Sequence, residues 1–246
     1  MSGRFFRRAG ACEIARKLAV KAVMERGLIG DGDRVLIAAS GGKDSTVLAW
    51  ALSAARPALK IGYELSALHI STDFCACCKK LELARTLAEW GVPFNDLFVP
   101  VIGRLKEGEK MNCYWCSTQR RAELLKYATE NGFNKIALGH HLDDIVETFF
   151  MNLCYKGELS TMPAMLRYRK YPVSLIRPLA YLEERQIIEC ADALGILGAA
   201  CTCPYGANSK RRDMRQRIAA FTGESGAVKR RVLGALASGP RDLLSE

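Results

Sequence analysis

The stretch VLIAASGGKDSTVLAW, which runs from Val35 to Trp50, decides the fold. It begins as a short apolar run typical of a buried strand and ends as an apolar helix. The corner between them, residues 40–45, reads SGGKDS. Its two glycines permit a tight turn and a close approach of the backbone to a ligand. Because the helix start offers unpaired amides and Lys43 offers a positive charge, the corner is predicted to hold a phosphate.

Strands and helices alternate along the rest of the chain with short connections. The strands are predicted at 34–39, 63–70, 94–100, 135–139 and 172–179. The helices are predicted at 13–29, at 44–55 with a stop at Pro57, at 81–91, at 117–132 with Ser117 as its cap, at 142–155 and at 182–194. This alternation predicts an α/β fold, a doubly wound parallel sheet with helices on both faces. Ligands of such sheets bind at the carboxyl ends of the strands, where the segments with the most polar character lie.

Length and composition are those of one α/β core with short extensions. The chain has 246 residues, of which 49% are hydrophobic, and its formal net charge is +10. We expect a helical extension at 1–30, a core domain at 31–204 and a basic helical extension at 205–246. No apolar stretch is long enough for a membrane span, and no apolar segment of a secretory signal follows the basic N-terminus. The positive charge favours an anionic partner, either nucleic acid or a phosphorylated small molecule.

Ten cysteines are spread along the chain. Since no secretory signal is predicted, we expect a cytoplasmic protein, in which clustered cysteines more often bind metals or catalyse than form disulfides. Cys12, Cys154 and Cys190 fall in predicted helices and are expected in the core. Three more follow the second predicted strand, at Cys75, Cys77 and Cys78. These three are interpreted either as a sulfur relay or second metal site, or as small buried thiols packed in a loop.

The phosphate corner differs from the two best-known phosphate motifs. A Walker A loop needs G-x-x-x-x-G-K-[ST], with a glycine six residues before its lysine, and the dinucleotide motif needs G-x-G-x-x-G. SGGKDS resembles instead the PP-loop of the N-type ATP pyrophosphatases. That resemblance implies cleavage of ATP between its α- and β-phosphates, transfer of AMP to an acceptor oxygen, and a Mg²⁺ ion that neutralises the phosphate charge.

A second motif, GHHLDD at residues 139–144, follows the fourth predicted strand. Asp143 and Asp144 open the next helix, where carboxylates suit the helix dipole. They are interpreted either as helix caps or as carboxylates that bind Mg²⁺ or act on the acceptor, and their position on the same sheet edge as the phosphate corner favours the second interpretation. His140 and His141 are open to use as ligands or a general base, and equally to packing at a strand end.

A third motif, NCYWCS at residues 112–117, places Cys113 and Cys116 before a predicted helix. C-x-x-C permits a redox dithiol, a zinc site or iron–sulfur ligands. A redox dithiol lacks a thioredoxin-like setting here, and a second C-x-x-C for zinc is missing. The segment CTCPYG offers Cys201 and Cys203 as further thiolates for zinc or for a cluster, with Tyr114, Trp115 and Tyr205 as a shield from solvent and with Arg120 and Arg121 as nearby counter-charges.

Together, GDGDRVLIAASGGKDS, CYWCS, GHHLDDIVETFFMNLCYKGELSTMPAML and IRPLAYLEERQIIECADALGI resemble the tRNA 2-thiocytidine synthetase family. They are also similar to the related tRNA 2-thiouridine synthetases, and the resemblance covers most of residues 13–217. It implies ATP-dependent replacement of a pyrimidine carbonyl oxygen in tRNA by sulfur. It also implies a [4Fe-4S] cluster with one iron free for sulfide. Cys113 and Cys116 match the paired ligands, and the third ligand matches CTCPYG, with Cys203 favoured and Cys201 as the fallback.

The motifs and the resemblance give two sets of site residues. The catalytic set is Lys43, Asp44, Asp144, Cys113 and Cys116. The ATP-binding set is Ala39, Ser40, Gly41, Gly42, Lys43, Asp44, Ser45, Ile70, Gly139 and His140.

Three departures from the thiocytidine and thiouridine patterns leave the modified base open. C-x-C before PYG stands where the thiocytidine branch has C-x-x-C before GSQ. Leu142 follows GHH where that branch usually has arginine. The zinc-binding ends of the thiouridine branch are absent.

The basic segment after residue 205 predicts a surface for tRNA phosphates, with a solvated helix face as the other interpretation. Its candidate residues are Lys210, Arg211, Arg212, Arg215 and Arg217. The expected sulfur donor is a cysteine desulfurase or free sulfide. Members of the family are commonly dimers, although the sequence shows no diagnostic interface.

Three other functions stay open at the level of sequence. One is a PP-loop enzyme that adenylates a small carboxylate or amide and carries structural zinc at its cysteines. Another is a nucleotide or metal sensor without turnover. The last is a persulfide carrier in which Cys113 or Cys116 holds sulfur directly.

Overall fold

A six-stranded sheet forms the centre of the protein. The computed structural model describes residues 2–74, 80–196, 210–223 and 225–238. The strands are β1 (Asp33–Ala38), β2 (Tyr63–Thr72), β3 (Phe94–Val99), β4 (Lys135–Ala137), β5 (Met165–Arg167) and β6 (Ser174–Ile176). Their order across the sheet is β3-β2-β1-β4-β6-β5. Neighbouring strands pair in parallel except at one edge, where β5 pairs antiparallel with β6.

Helices connect the strands and cover the sheet. They are α1 (Ser2–Arg26), α2 (Lys43–Leu59), α3 (Lys80–Glu89), α4 (Cys113–Glu130), α5 (Leu142–Lys156), α6 (Glu184–Ala193), α7 (Lys210–Thr222) and α8 (Gly226–Ala237). The predicted α/β class, with a doubly wound and mostly parallel sheet, is therefore confirmed. None of the described helices is both long and apolar enough to cross a membrane.

The strand order reverses direction between β1 and β4. From β1 the chain moves outward through β2 to β3, whereas β4, β6 and β5 extend to the other side. Connections that leave in opposite directions open a crevice at the carboxyl ends of these two central strands. The loop after β1 and the loop after β4 therefore meet there, and they carry SGGKDS and GHHLDD.

Alternate residues of β1 build two cores on the two faces of the sheet. Val35 and Ile37 pack with residues of α1, α2 and α6 on one face. Leu36 packs with Leu125 and Ala128 of α4 on the other. A separate core joins α7 and α8 to α5. The amphipathic helices predicted from apolar spacing thus bury their apolar sides against the sheet or against each other.

Several predicted boundaries are wrong. The first helix begins at Ser2 rather than at 13, and β2 extends to Thr72. The second helix continues through Pro57 to Leu59, because proline's fixed φ is helical and only one amide is lost in the last turn. The strand predicted at 172–179 is reduced to Ser174–Ile176, and β5 has no counterpart among the predicted strands because three residues carry little pattern.

One of the three cysteines expected in the core is exposed. Cys190 is buried as expected, and its Sγ lies 3.4 Å from Sγ of the half-buried Cys12. Cys154 is exposed on α5, so its placement in the core was wrong. Helical periodicity shows that a residue lies on a helix, but which face is covered depends on the elements that pack against it.

Candidate active site

The phosphate corner forms the turn that the sequence predicts. Gly41 has a φ of +79°, a left-handed conformation that favours glycine. Gly42 is the N-cap of α2 and provides no side chain to occupy the first amides of the helix. Ser40 Oγ and Ser45 Oγ lie 3.0 Å apart beside these amides. Free amides and two hydroxyls at a helix N-terminus form a binding place for a phosphate.

Lys43 of the phosphate corner is held by two carboxylates. Its Nζ lies 2.9 Å from Asp44 Oδ1 and 3.1 Å from Glu184 Oε1 on α6. Burial opposes the ammonium charge, but these contacts outweigh burial and raise the pKa of Lys43. The contact with Glu184 could not be predicted from a local pattern, because it joins residues far apart in the chain. A phosphate bound at the corner would compete with Glu184 for the charge of this ammonium.

A cavity of about 420 Å³ opens beside the corner. Seven of the predicted ATP-binding residues line it, namely Ala39, Ser40, Asp44, Ser45, Ile70, Gly139 and His140. The other three, Gly41, Gly42 and Lys43, belong to the turn but are not part of the cavity wall. The wall also contains apolar side chains, including Leu68, Leu124, Leu138 and Leu175. The cavity therefore offers an apolar surface for a flat ring and a polar end for phosphates.

Three arginines line the same cavity. They are Arg120 and Arg121 of α4 and Arg211 of α7. From the sequence, Arg120 and Arg121 are predicted only as counter-charges for a metal cluster, and their place in the cavity wall comes from the structure. Because guanidinium groups pair well with phosphate oxygens, this wall suits an anionic ligand.

Gly139 is packed directly against the start of α2. A Cβ at this position would lie 3.0 Å from Asp44 C and 3.0 Å from Ser45 N. Both of those atoms belong to the backbone of the phosphate corner, which has no side-chain freedom to absorb the contact. The glycine of the second motif is therefore needed for close approach between the two loops, as its position after β4 had indicated.

His140 lines the cavity and is oriented by a buried arginine. Arg177, only 5% exposed, lies with its Nε 3.3 Å from His140 Nδ1 and its Nη1 2.5 Å from Pro163 O. A guanidinium only donates, so Nδ1 accepts and the ring proton lies on Nε2. Burial, together with the charges of Arg177 and Arg211, lowers the pKa of His140, although Asp144 opposes this. At neutral pH, His140 is thus a neutral donor through Nε2.

The two acids of GHHLDD have separate surroundings. Asp144 lines the cavity, accepts the amide of His141 at 3.1 Å, and pairs with Arg211 Nη1 at 2.9 Å. Asp143 turns to the other side, where it accepts the Glu184 amide at 2.7 Å and pairs with Lys229 Nζ at 2.6 Å. Asp144 is therefore a helix cap that also faces the cavity, and its binding of Mg²⁺ or action on the acceptor stays a prediction, whereas the described contacts of Asp143 are structural.

His141 bridges these two acids from a buried position. Its Nδ1 lies 3.4 Å from Asp143 Oδ2 and its Nε2 lies 3.4 Å from Asp144 Oδ2. Burial disfavours the imidazolium, but the contact with Asp143 and the charge of Asp144 outweigh burial and raise the pKa of His141. Burial would raise the pKa of Asp143, yet its contacts with His141 and Lys229 hold that pKa below its usual range. His141 therefore holds the start of α5 together.

The C-x-x-C pair lies in the first turn of a helix rather than before it. Asn112, not Ser117, is the N-cap, and its Oδ1 accepts the amide of Trp115 at 2.9 Å. Cys113 and Cys116 are three residues apart on α4, which places them on one side of the helix. Ser117, which directly follows Cys116, lines the cavity. The cysteine pair and the cavity are thus joined by one turn of helix.

The structure describes only some of the residues that are predicted to surround the metal cluster. Trp115 packs inward and donates Nε1 to Val101 O at 3.0 Å, whereas Tyr114 is 81% exposed and does not shield the site. Cys201, Cys203 and Tyr205 lie outside the described residues, as do Cys75, Cys77 and Cys78. Among the described residues, no group of three His, Cys, Asp or Glu side chains could hold a metal ion. Two thiols on one side of a helix start fit two of the three expected cluster ligands.

The basic tail is engaged by acids of the same chain. Arg211 pairs with Asp144, and Arg215 lies 2.5 Å from Glu147 Oε1 and 3.3 Å from Glu184 Oε2. Arg217 pairs within its own helix with Asp213 at 3.1 Å. Arg212 is exposed, and the side chain of Lys210 lies outside the described residues. A contact of these residues with tRNA stays a prediction, and docking of α7 onto α5 is what the structure adds.

Comparisons with known proteins found relatives that match most of this chain. The model of the PP-loop domain matches residues 13–218. The tRNA-cytidine(32) 2-sulfurtransferase of Syntrophotalea carbinolica is 35% identical over 236 residues, which are 93% of this chain and 90% of that protein. The enzyme of the same name from Geobacter sulfurreducens is 36% identical over 231 residues, which are 91% of this chain and 89% of that protein.

Two solved structures share the fold. The U34-tRNA thiolase NcsA from Methanococcus maripaludis, solved with its [4Fe-4S] cluster, has a TM-score of 0.77 at 22% identity and covers 94% of this chain and 79% of its own. NMN synthetase from Francisella tularensis has a TM-score of 0.52 at 14% identity and covers 93% and 91%. At these identities, both structures bear on the fold alone.

Proposed function

This chain belongs to the PP-loop family and to the family of the tRNA-cytidine(32) 2-sulfurtransferases, and we propose that it replaces the C2 carbonyl oxygen of a tRNA pyrimidine by sulfur at the expense of ATP. One structural observation supports the proposal most directly. The phosphate corner, the cavity and the helix that begins with Cys113 and Cys116 are contiguous. An ATP-activated base in the cavity would therefore lie within reach of sulfur held at the cysteines.

The first step is adenylation of the base. A ring carbonyl oxygen is a poor leaving group. Its attack on the α-phosphorus of ATP releases pyrophosphate and joins the oxygen to the AMP group, so that it can leave as AMP in the next step. The first amides of α2, with Ser40 and Ser45, hold the departing pyrophosphate. Lys43 joins them once it leaves Glu184. A Mg²⁺ ion would bind the phosphates beside Asp44 and Asp144, whose oxygens are the ligands it prefers.

The second step is displacement of AMP by sulfur at C2. Sulfur attacks the activated carbon, the C–O bond breaks, and the electron pair leaves with AMP. Arg120 and Arg121 line the cavity where that phosphate charge appears, and they stabilise it. His140 donates through Nε2 to an oxygen of the substrate and does not serve as a base, because Arg177 occupies Nδ1.

A [4Fe-4S] cluster held by Cys113, Cys116 and a third cysteine, Cys203 or Cys201, would supply the site at which sulfide is bound. The remaining features of the proposal concern partners. We propose a cytoplasmic protein that receives sulfur from a cysteine desulfurase or from free sulfide and acts as a homodimer. The base must leave its stack to enter the cavity, which favours a target in a loop of tRNA.

Iron and acid-labile sulfide, measured on protein purified without oxygen, test the cluster. Cys113→Ala, Cys116→Ala and Cys203→Ala should each lose iron and sulfide, whereas the exposed Cys154→Ala should keep both. If Cys203→Ala keeps iron and Cys201→Ala loses it, the third ligand is Cys201. Zinc in place of iron would support the enzyme that adenylates a small molecule, and cysteine-bound sulfur without iron would support the persulfide carrier.

Mass spectrometry of nucleosides tests the reaction itself. Purified protein, ATP, Mg²⁺ and sulfide are incubated with tRNA that lacks thiolated bases, and the digest is searched for 2-thiocytidine and 2-thiouridine. The product identifies the base. Formation of neither nucleoside by cluster-loaded protein would refute the proposal.

A further inference from the structure

The positive charge of the α7 and α8 region is largely neutralised inside the molecule. Besides the pairs of Arg211 and Arg215, Lys229 of α8 pairs with Asp143, and Arg230 pairs with Glu183. These cations dock two helices onto acidic side chains of α5 and α6. Binding of RNA phosphates by the same groups would have to break those contacts.

A different surface carries cations without such partners. We call residues 165–176 the basic hairpin, which comprises β5, the connection 168–173 and β6. Arg167, Arg169 and Lys170 are exposed on it, and none of them has an ion pair or side-chain hydrogen bond within the described part of the chain. No Asp or Glu occurs between residues 159 and 182. The positive charge of the hairpin is therefore directed to solvent.

Aromatic side chains lie between these cations and anchor the hairpin. Tyr168 packs on the core formed with α4, and its ring lies edge-on to that of Tyr171 at 6.0 Å. Tyr171 remains 38% exposed. Tyr168 N also donates to Val173 O at 3.3 Å across the connection. Cations and a partly exposed aromatic ring on a fixed strand pair suit the phosphates and unstacked bases of RNA.

The basic hairpin adjoins the cavity. Its open end is closed by a hydrogen bond of 2.9 Å from Arg177 N to Ala164 O. Arg177 is the residue that orients His140 in the cavity wall. From this point the hairpin extends along the edge of the sheet toward the amino ends of β4 and β6, which places Arg167 and the connection 168–173 at the end of the hairpin away from the cavity. An RNA strand that delivers a base to the cavity can therefore continue over the hairpin.

We propose that the basic hairpin is a contact surface for tRNA phosphates, with Arg167, Arg169 and Lys170 as the contacting cations. This inference rests on the proposed function, since it assigns a surface to the tRNA that the function requires. Charged side chains on an edge strand also prevent strand pairing between molecules, and that role alone would leave tRNA binding unchanged when they are replaced.

The test compares two triple variants that lose the same charge. The first is Arg167→Gln, Arg169→Gln and Lys170→Gln in the hairpin. The control is Lys17→Gln, Lys21→Gln and Arg185→Gln, exposed positions on α1 and α6 at the other face of the sheet. Binding of unmodified tRNA is measured at several salt concentrations, and a thermal unfolding scan verifies that each variant is folded.

The slope of log affinity against log salt concentration measures how many phosphate contacts each variant has lost. Each lost phosphate contact reduces that slope by roughly 0.7–0.9, so the hairpin variant should lose about 2–3 units and the control should match the wild type. A hairpin variant with the wild-type slope, on a wild-type protein that binds tRNA, overturns this inference and leaves the proposed function intact. A wild-type protein that binds no tRNA overturns both.

Discussion

Replacement of Gly139 by alanine tests whether close contact between the two central loops sets the geometry of the phosphate corner. The added methyl group would lie 3.0 Å from Asp44 C and Ser45 N and 3.1 Å from Asp44 O, against an ordinary contact of 3.4–4 Å. Gly139 does not have a positive φ, so alanine is strained there by contact alone. The neighbouring atoms are backbone atoms at the start of α2, and the helix must therefore shift.

Overpacking of this kind costs about 1–3 kcal/mol. In a chain of this size, that lowers the melting temperature by about 2–4 °C for each kcal/mol. The displaced amides would also bind ATP more weakly, because hydrogen bonds to its phosphates weaken when their distances and angles depart from the favoured geometry. We expect Gly139→Ala to lower both the free energy of unfolding and the affinity for ATP.

Gly234→Ala is the matched control, since the chemical change is identical and the expected sign is opposite. Gly234 lies inside α8, has no positive φ, and nothing lies within 4 Å of its added Cβ. Alanine there should stabilise the helix by up to about 1 kcal/mol and leave ATP binding unchanged. Chemical denaturation and calorimetric titration with ATP measure the two quantities. If Gly139→Ala matches the wild type in both, contact between the loops does not control the corner.

Three further predictions concern the charged groups of the site. In the ¹⁵N spectrum of labelled histidine, His140 should show a protonated Nε2 and an unprotonated Nδ1. Arg177→Gln should give a mixture of the two tautomers and raise the pKa of His140, because the positive charge and the donor to Nδ1 are lost. An unchanged spectrum in this variant would show that the arginine does not orient the ring. Glu184→Gln should raise the affinity for ATP a few-fold, because it frees Lys43 from this ion pair, and should lower the free energy of unfolding by roughly 1 kcal/mol. If the variant binds ATP as the wild type does, the pair of Lys43 and Glu184 does not compete with phosphate. Because folding raises the pKa of His141, protonated His141 stabilises the folded protein fully below the pKa that this histidine has in the unfolded chain. That contribution is lost as pH rises through the pKa of His141 in the folded protein. Chemical denaturation at several pH values should show this loss in the wild type and not in His141→Gln.

The local motifs of the site were predictable because each is encoded within a few neighbouring residues. The strand, turn and helix of Val35–Trp50 follow from an apolar run, two glycines and an apolar helix, and the structure has all three elements. Parallel strands then bring their carboxyl ends to one edge, so most of the predicted ATP-binding residues line a single cavity. The C-x-x-C spacing indicated that Cys113 and Cys116 lie close together beside a helix start, although the start of that helix was misplaced.

Contacts between distant segments were beyond the reach of sequence patterns. Lys43 contacts Glu184 because α6 packs against α2, and Arg211 contacts Asp144 because α7 packs against α5. The two adjacent acids of GHHLDD look equivalent in the sequence, but their side chains leave α5 in different directions, one toward the cavity and one toward Lys229. Charge alone likewise did not distinguish arginines that hold helices together from cations that face solvent.

The sequence by itself thus determined the fold class, the phosphate corner and the cysteine pair, because those features depend on the order of residues along a short stretch. The tertiary structure alone decided which partner each charged group has. Ion pairs and hydrogen bonds form between whatever side chains the packed elements bring within about 3 Å of each other, and that neighbourhood is set by the whole fold. Arg177 illustrates this most plainly, since its burial against His140 has no local signal and yet determines which nitrogen of that ring carries the proton.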